Sequence, residues 1–513
     1  MFNLHNHEIS NKFLKQSLIE PREYQLNIVK NISKKNSLIV LPTGLGKTVI
    51  AFYAIANTLS DGKVMMLSPT KPLSEQHYAS ALKFLNLSDD EIALITGAIP
   101  GNKRLAIEEH ARLILATPQT ISNDIKAGRV NINDFRLIVF DECHRAIGKY
   151  AYTYIADEAK TNNIQIIGLT ASPGSTTSKI KQLIDILGIQ NIEVRIPSDN
   201  DVYKYIIDKQ TNIIYIERNH AVNDIISLIR PVLEQHFIKL KKYGFCYFKN
   251  FESIPKAKLL EIGKLITNIK AINYKFIVLF EYIYVLHLSH AYDLISTEGI
   301  FAFYDYFDRL KTRKQKSKAV ISMLNNKNIN IAINLAKKYL DEGQEHAKMF
   351  KLVQILNNEL LDKTVIIFAQ YRATINKIVE ILNKNNLNSK AFVGKKEGVT
   401  NITQKETIEE FRHGLFKILV ATSIGEEGLD IPTVDAVIFY EPVSSEIRNI
   451  QRRGRAGRIN FGNIIILVAK NSKDEIHLNV SKFREIRMQK ILQNMQKDLL
   501  QKSKLANGQQ KLI

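Results

Sequence analysis

Leu41-Pro42-Thr43-Gly44-Leu45-Gly46-Lys47-Thr48 is the stretch on which the reading of this chain turns. Before it, the apolar run Ser37-Leu38-Ile39-Val40-Leu41 predicts a short buried strand, and after it Val49 to Ala54 predicts the start of a helix packed behind that strand. Strand, glycine loop and helix make a cradle for phosphate. Gly44 and Gly46 let backbone N–H groups turn toward a polyphosphate at the helix N-terminus, where unpaired donors and the helix dipole favour anions. Pro42 and Thr43 complete the wall of the loop, Lys47 is placed to reach the β- and γ-phosphates, and Thr48 to hold Mg²⁺. The full phosphate-loop pattern has glycine where Leu41 stands, so the match lies in the Gly44-x-Gly46-Lys47-Thr48 core and its context. ATP and Mg²⁺ are the cofactors this implies.

The whole chain is consistent with a soluble multidomain enzyme. Its 513 residues suggest about three domains. Hydrophobic content of 45% with 24% charged residues is that of a globular protein. Lys and Arg number 71 against 51 acidic residues, a net charge of +20 that points to a polyanionic partner, nucleic acid ahead of membrane. Two cysteines, Cys143 and Cys246, exclude a disulfide framework and a cysteine-only zinc site. The N-terminus lacks signal-peptide order, and the most apolar stretch, Phe276 to Ile295, is interrupted by Glu281, His287, His290 and Asp293. A cytoplasmic location, nucleoid-associated in a prokaryote and away from membrane, is expected.

Upstream, Pro21-Arg22-Glu23-Tyr24-Gln25 opens a helix, and Tyr24 and Gln25 are candidates to stack on and hydrogen-bond an adenine. Downstream, strand and helix alternate, which implies parallel βαβ units. Val64 to Ser68 leads into Thr70-Lys71, and Leu113 to Ala116 into Thr117-Pro118-Gln119. Thr70, Lys71, Thr117 and Gln119 suit phosphodiester oxygens, while the threonines would equally serve as helix N-caps. Leu137 to Phe140 delivers Asp141-Glu142-Cys143-His144 to a strand's carboxyl end, where ligands gather in open α/β sheets. There Asp141 can hold Mg²⁺ through water, and Glu142 can take the proton of the water that attacks the γ-phosphate. Ile164 to Leu169 ends in Thr170-Ala171-Ser172-Pro173-Gly174, whose hydroxyls are placed to sense that phosphate.

Taken in order, Pro21–Gln25, Leu41–Thr48, Pro69–Gln76, Thr117–Gln119, Asp141–His144 and Thr170–Gly174 resemble the motifs of superfamily 2 helicases and nucleic-acid translocases. Within that superfamily the phosphate loop, Pro69-Thr70-Lys71-Pro72-Leu73 and the run from Asp141 to Tyr152 resemble the archaeal Hef helicase and its relative FANCM. Cys143 departs from that branch, which usually has Ala there, and is similar to Dicer and the cytosolic RNA-sensing helicases.

From about residue 201 to 346 the alternation stops and apolar residues recur at helical spacing, with Pro231 expected to start or kink the first helix. An all-α insertion is expected, which the Hef and RNA-sensing groups resemble in carrying at this point. Tyr243, Phe245, Tyr247, Phe248 and Phe251 read as helix core or as a stacking platform. The basic run from Arg309 to Lys318 reads as a solvated face or a duplex contact.

A second α/β unit begins at Thr364 to Ala369, with Gln370 at the strand exit, followed by a strand ending at Gly394 and another running through Thr422 toward Asp430. Asp430 can accept from a ribose hydroxyl or orient an arginine. The cluster Gln451-Arg452-Arg453-Gly454-Arg455-Ala456-Gly457-Arg458 can bind nucleic-acid phosphates or place guanidinium forks on a γ-phosphate. These stretches resemble the later motifs of the superfamily. The resemblance implies arginine fingers at Arg455 and Arg458, Gln451 on the nucleotide side, and Gln370, Gly394 and Thr422 facing nucleic acid. No nuclease signature follows Leu467, so the helicase part alone is expected.

The expected architecture is α/β, two RecA-like parallel-sheet domains with an all-α helical insertion between them. The expected boundaries are 1–205 for the ATP-binding domain, 206–345 for the insertion, 346–490 for the second RecA-like domain and 491–513 for a basic helical tail. The expected function is an ATP-dependent DNA helicase or translocase that unwinds or remodels forked and branched DNA, 3′ to 5′, in repair and replication-fork processing. The alternatives are a double-stranded-RNA-stimulated ATPase and a duplex translocase that does not separate strands.

Overall fold

The computed structural model describes residues 11–15, 18, 21–42, 44–148, 150–196, 199–205, 211–394, 401–422, 434–442 and 463–509. Seven short strands form the first sheet: β1 (Ser37–Val40), β2 (Lys63–Leu67), β3 (Ile92–Ile95), β4 (Leu113–Ala116), β5 (Phe135–Phe140), β6 (Gln165–Thr170) and β7 (Asn191–Val194). Their spatial order is β3-β4-β2-β5-β6-β1-β7, and every pairing is parallel. Strands such as Leu113–Ala116 and Ser37–Val40 are buried throughout, as expected of a parallel sheet covered on both faces by crossover helices. Three of these helices matter most below: α1 (Glu23–Asn31), α2 (Lys47–Thr58) and α3 (Lys71–Phe84). Apolar side chains from the two sheet faces build two separate cores.

The second sheet has the order β10-β11-β9-β12-β13-β8, again all parallel, from β8 (Thr211–Ile216), β9 (Val365–Phe368), β10 (Ser389–Phe392), β11 (Ile418–Ala421), β12 (Ala436–Phe439) and β13 (Asn463–Ala469). One correction concerns β8. Its residues were expected at the start of the helical insertion, yet they pair with β13 as the edge strand of this sheet. Thr211-Asn212-Ile213-Ile214-Tyr215-Ile216 is a half-exposed edge strand, and so short an apolar run carries little period to separate strand from helix.

Between β8 and β9 in the chain lies the expected helical bundle, with helices His220–Lys242, Lys256–Thr267, Ile272–Asp293, Ile300–Thr312, Lys318–Asn325 and Lys327–Asp341 around one core. Pro231 lies inside the first of these helices rather than at its start, on its exposed side. The aromatic stretch resolves mostly as packing. Phe251 is buried and Tyr243, Phe245 and Phe248 lean on the core, leaving Tyr247 exposed.

A buried polar seam joins the bundle to the second sheet. Lys348 Nζ, fully enclosed, donates to Asp474 Oδ2 and to Tyr440 O, each at 2.8 Å. Glu298 Oε2 accepts from Thr374 Oγ1 at 2.8 Å, and Tyr440 Oη donates to Glu298 O at 3.2 Å. Glu345 accepts from the backbone N–H groups of Ile300 and Phe301, satisfying two donors at the start of the Ile300–Thr312 helix. Gly299 is required beside it, because its φ is +129° and a Cβ there would stand 2.3 Å from Glu345 Oε1.

The last described element is one helix, Lys473–Gln509. Its far part was expected to be a basic tail. Instead Met488 and Leu492 are buried in the core of the first sheet, with Met495 and Leu499 packed alongside, and Ser172 Oγ donates to Met488 Sδ at 3.0 Å. Residues 488, 492, 495 and 499 form a helical stripe that pays for ordering this lysine-rich segment. The helix therefore starts at the second sheet and ends on the first.

Two substitutions test this packing by denaturant unfolding. Leu492→Ala should cost about 2–5 kcal/mol, as for a buried leucine, whereas a solvated tail would lose almost nothing. Lys348→Met should cost about 3–5 kcal/mol, because it leaves Asp474 buried without its charge partner.

Candidate nucleotide and nucleic-acid site

Because β6 lies between β1 and β5, the carboxyl ends of β1 and β5 stand about two strand spacings, or about 10 Å, apart. The loop after β1 carries Gly44, Gly46, Lys47 and Thr48, and the loop after β5 carries Asp141 and Glu142. Gly44 and Gly46 both have positive φ, +87° and +71°, and Gly46 begins α2 with no side chain capping the helix. A Cβ on Gly46 would also fall 2.5 Å from Gln25 Nε2. The first-turn N–H groups of α2 thus face the loop, which suits an anion. Pro42 is partly buried beside it, and Thr43 lies outside the described residues.

The structure corrects the reading of Tyr24. Its ring is 0% exposed, so it offers no face to an adenine. Its hydroxyl instead donates to Leu45 O at 2.6 Å, and Gln25 Nε2 donates to the same oxygen at 3.2 Å, while Gln25 Oε1 accepts from Arg22 N. Together these two side chains clamp the tip of the phosphate loop. The two residues adjoin it in space as in the motif, but through its backbone.

Lys47 Nζ donates to Leu41 O at 3.2 Å. Burial lowers its pKa, and the nearby Glu142 and Asp141 charges pull it back up. Asp141 has both oxygens engaged, Oδ1 accepting from Glu142 N at 3.0 Å and Oδ2 lying 2.8 Å from His77 Nε2. Burial pushes the Asp141 carboxyl up, but His77, Lys47 and the Glu142 N–H outweigh it and bring it below the usual carboxylate range. The Asp141 carbonyl also accepts from Tyr152 Oη at 2.7 Å.

Glu142 adopts a left-handed backbone, φ 48° and ψ 46°, an uncommon conformation for a side chain with a Cβ. Its Oε2 is buried and takes no hydrogen bond among the described residues, although His144 Nδ1 approaches to 3.3 Å. His144 Nδ1 instead pairs with Thr170 Oγ1 at 3.1 Å, linking the end of β5 to the end of β6. Cys143 is buried, and burial raises its thiol well above the ordinary value, so the residue is packing rather than a nucleophile.

The nucleic-acid candidates sit at the carboxyl edges of both sheets. Neither Thr70 nor Thr117 caps its helix through its side chain. Thr117 Oγ1 bonds Thr120 Oγ1 at 2.8 Å, while Thr70 Oγ1 and, in the second sheet, Thr422 Oγ1 are buried without a partner among the described residues. Lys71 and Gln119 are exposed, as is Gln370. Gly394 is buried, its carbonyl accepting from the Arg372 guanidinium. Asp430, Gln451, Arg455 and Arg458 lie outside the described residues.

Sequence reasoning missed His77. Within Ser74-Glu75-Gln76-His77 it reads as one more polar helical residue, and only its position seven residues after Thr70 hints that it faces the same way two turns on.

The residues present fit a magnesium-bound nucleoside triphosphate. An uncapped helix N-terminus, a lysine resting on a backbone carbonyl, a carboxylate of lowered pKa and a second buried carboxylate oxygen without a donor are the donor and acceptor set that ligand needs. No helix among the described residues is long and apolar enough to cross a membrane.

Residues 18–175 match the family model for the type III restriction enzyme res subunit, 347–460 match the helicase conserved C-terminal domain, and 221–343 match a helical bundle described as "Putative ATP-dependent RNA helicase, helical bundle". The chain is similar to the crystal structure of the Pyrococcus furiosus Hef helicase domain, with 39% identity and a TM-score of 0.73, covering 91% of this chain and 100% of that one. It is 39% identical over 502 residues to a Methanocaldococcus jannaschii protein named "Putative ATP-dependent RNA helicase", covering 95% of this chain and 62% of the relative. It is also 32% identical over 503 residues to the ATP-dependent DNA helicase mph1 of Neurospora crassa, covering 92% of this chain and 43% of the relative. The chain thus spans about half the length of these two relatives.

Gly46→Ala tests the loop geometry. The added methyl meets Gln25 and disfavours the left-handed backbone, so affinity for a fluorescent ATP analogue should fall at least about tenfold, equivalent to about 1.4 kcal/mol. Unchanged affinity would mean that the loop does not hold nucleotide in this conformation.

Proposed function

The chain belongs to the Hef-type superfamily 2 helicases, and from that premise we propose that it is an ATP-driven DNA helicase or translocase acting on forked and branched DNA in repair and replication-fork processing, with 3′-to-5′ travel. The observation that carries the ATPase part is the pair of carboxylates, Asp141 and Glu142, held on the same sheet edge as Lys47. In this reading Lys47 and the α2 N–H groups bind the β- and γ-phosphates, and Thr48 and Asp141 are the residues that would hold Mg²⁺. When bound, that ion neutralises charge on the phosphoryl oxygens. Glu142 accepts the proton of the attacking water, and its Oε2, which takes no hydrogen bond among the described residues, is the atom available to do so. His144 and Thr170, hydrogen-bonded to each other beside Glu142, respond to the γ-phosphate. Arg455 and Arg458 come from the second lobe as fingers, with Gln451 on the nucleotide side and Asp430 orienting an arginine or a ribose. Glu142 and both fingers thus act together only when the lobes close.

Thr70, Lys71, Thr117 and Gln119 in the first lobe and Gln370, Gly394 and Thr422 in the second contact the strand's phosphodiesters. The hydroxyls of Thr70 and Thr422, without a hydrogen-bond partner among the described residues, support this. Exposed Lys311 and Lys314 and half-buried Lys316 line a shallow groove on the helical bundle and suit the backbone of an adjoining duplex. Nucleoid association follows from such a substrate.

A second reading, a double-stranded-RNA-stimulated ATPase, is favoured by Cys143 and by the name carried by the Methanocaldococcus jannaschii relative. ATPase titrations with forked DNA, linear duplex DNA and duplex RNA at fixed salt separate the readings. Forked DNA should stimulate most; stronger stimulation by RNA would overturn the DNA assignment. Glu142→Gln should bind ATP normally and lose turnover by about 10²–10⁴-fold, the usual contribution of a general base; normal hydrolysis by that variant would remove Glu142 from the mechanism.

A further inference from the structure

Two different elements hold the Asp141 carboxylate. Oδ1 takes the N–H of the next residue, as loop geometry alone provides, but Oδ2 is met by a side chain from another element, His77 Nε2 on α3, at 2.8 Å. His77 is 5% exposed and Asp141 7%, so the contact is shielded from water. His77 Nδ1 has no partner among the described residues, so Asp141 is the polar contact that orients this ring.

Building on the ATP-site reading above, we propose that His77 is a positioning residue: its imidazole fixes the rotation of the Asp141 carboxylate, and through α3 it ties that carboxylate to the nucleic-acid end of the same helix. With each oxygen already holding one partner, rotation about the Cβ–Cγ bond breaks both contacts, so the remaining lone pairs keep one direction. Outer-shell partners of this kind orient metal-holding groups and are worth about 10–100-fold in metal affinity or activity. α3 begins at Lys71, immediately after Thr70, and His77 follows about two turns later, about 10 Å along a continuous helix. Ser74 Oγ donates to Thr70 O at 3.3 Å, and Lys71 and Glu75 pair on the outer face, so the intervening turns are braced. A strand that engages Thr70 and Lys71 moves α3 as a unit, and His77 carries that movement to Asp141. The first lobe thus has its own mechanical link between nucleic acid and nucleotide, independent of lobe closure.

The test separates the imidazole's hydrogen bond from its bulk. His77→Leu keeps volume and loses the donor; His77→Gln restores a donor with about the reach of Nε2; His77→Asn keeps a donor on a stem too short to arrive. Binding of the non-hydrolysable analogue AMP-PNP is measured by calorimetry in EDTA and across a MgCl₂ series, and melting temperatures are measured alongside. His77→Leu and His77→Asn should bind AMP-PNP normally in EDTA but need about 10–100-fold more MgCl₂ for the magnesium-dependent gain, and His77→Gln should recover most of it. The ratio of forked-DNA-stimulated to basal ATP turnover should fall toward one in the first two and recover in the third. An unchanged MgCl₂ curve in His77→Leu, or a His77→Gln as impaired as His77→Leu, overturns the assignment. If His77→Leu does not fold, the contrast between Gln and Asn decides by the same criteria. A magnesium-independent unaltered chain would overturn the ATP-site reading and the His77 assignment with it, whereas a normal unaltered chain beside an unmoved variant overturns the His77 assignment alone.

Discussion

The insertion of β6 between β1 and β5 sets how far Lys47 stands from Asp141 and Glu142, and the chemistry of the site depends on that separation. Strand spacing is fixed by backbone hydrogen bonding, so the gap is insensitive to side-chain detail. Were β1 and β5 adjacent, the lysine and the carboxylates would pair and neutralise each other. With one strand between them, Lys47 rests on the Leu41 carbonyl and Glu142 Oε2 takes no hydrogen bond among the described residues. Thr170, at the end of the spacer strand, joins the arrangement through His144. The clamp of Tyr24 and Gln25 on Leu45 O and the grip of His77 on Asp141 then hold the two walls of the gap.

Much of this was legible where chemistry sits in consecutive residues. The phosphate loop and Asp141-Glu142 lie at the ends of apolar runs, so their chemistry and secondary structure are encoded together. What the sequence does not encode is which neighbour a side chain chooses. Tyr24, read as an adenine stacker because an aromatic precedes the loop, turns inward to a backbone carbonyl. Thr70 and Thr117, equally good as N-caps by type, do not cap. His77 lies 64 residues from its partner, and no local pattern marks a contact of that range. β8 was hidden by its shortness, and the end of the last helix by lysines and glutamines surrounding its stripe at Met488, Leu492, Met495 and Leu499.

The two corrected elements have a common consequence. β8 threads the chain from the first sheet into the second before the helical bundle begins, and the final helix returns from the second sheet to the first. The bundle is anchored to the second unit by Glu298, held by Thr374 and Tyr440, and by Glu345, which takes the N–H groups of Ile300 and Phe301; both are buried groups that are costly to separate from their partners. That final helix meets the first sheet at the Ser172–Met488 contact, one residue beyond Ala171 and two beyond Thr170. The proposed nucleotide edge and the tie between the sheets share the loop after β6.

In the proposed mechanism ATP is held across the edge from β1 to β5. A structure of the chain with AMP-PNP and Mg²⁺ measures it most directly. The account predicts the triphosphate at the N-terminus of α2, Lys47 Nζ moved from Leu41 O onto the phosphates, and Tyr24 and Gln25 still on Leu45 O. Nucleotide bound elsewhere, or Lys47 still on Leu41 O with the loop filled, would contradict it.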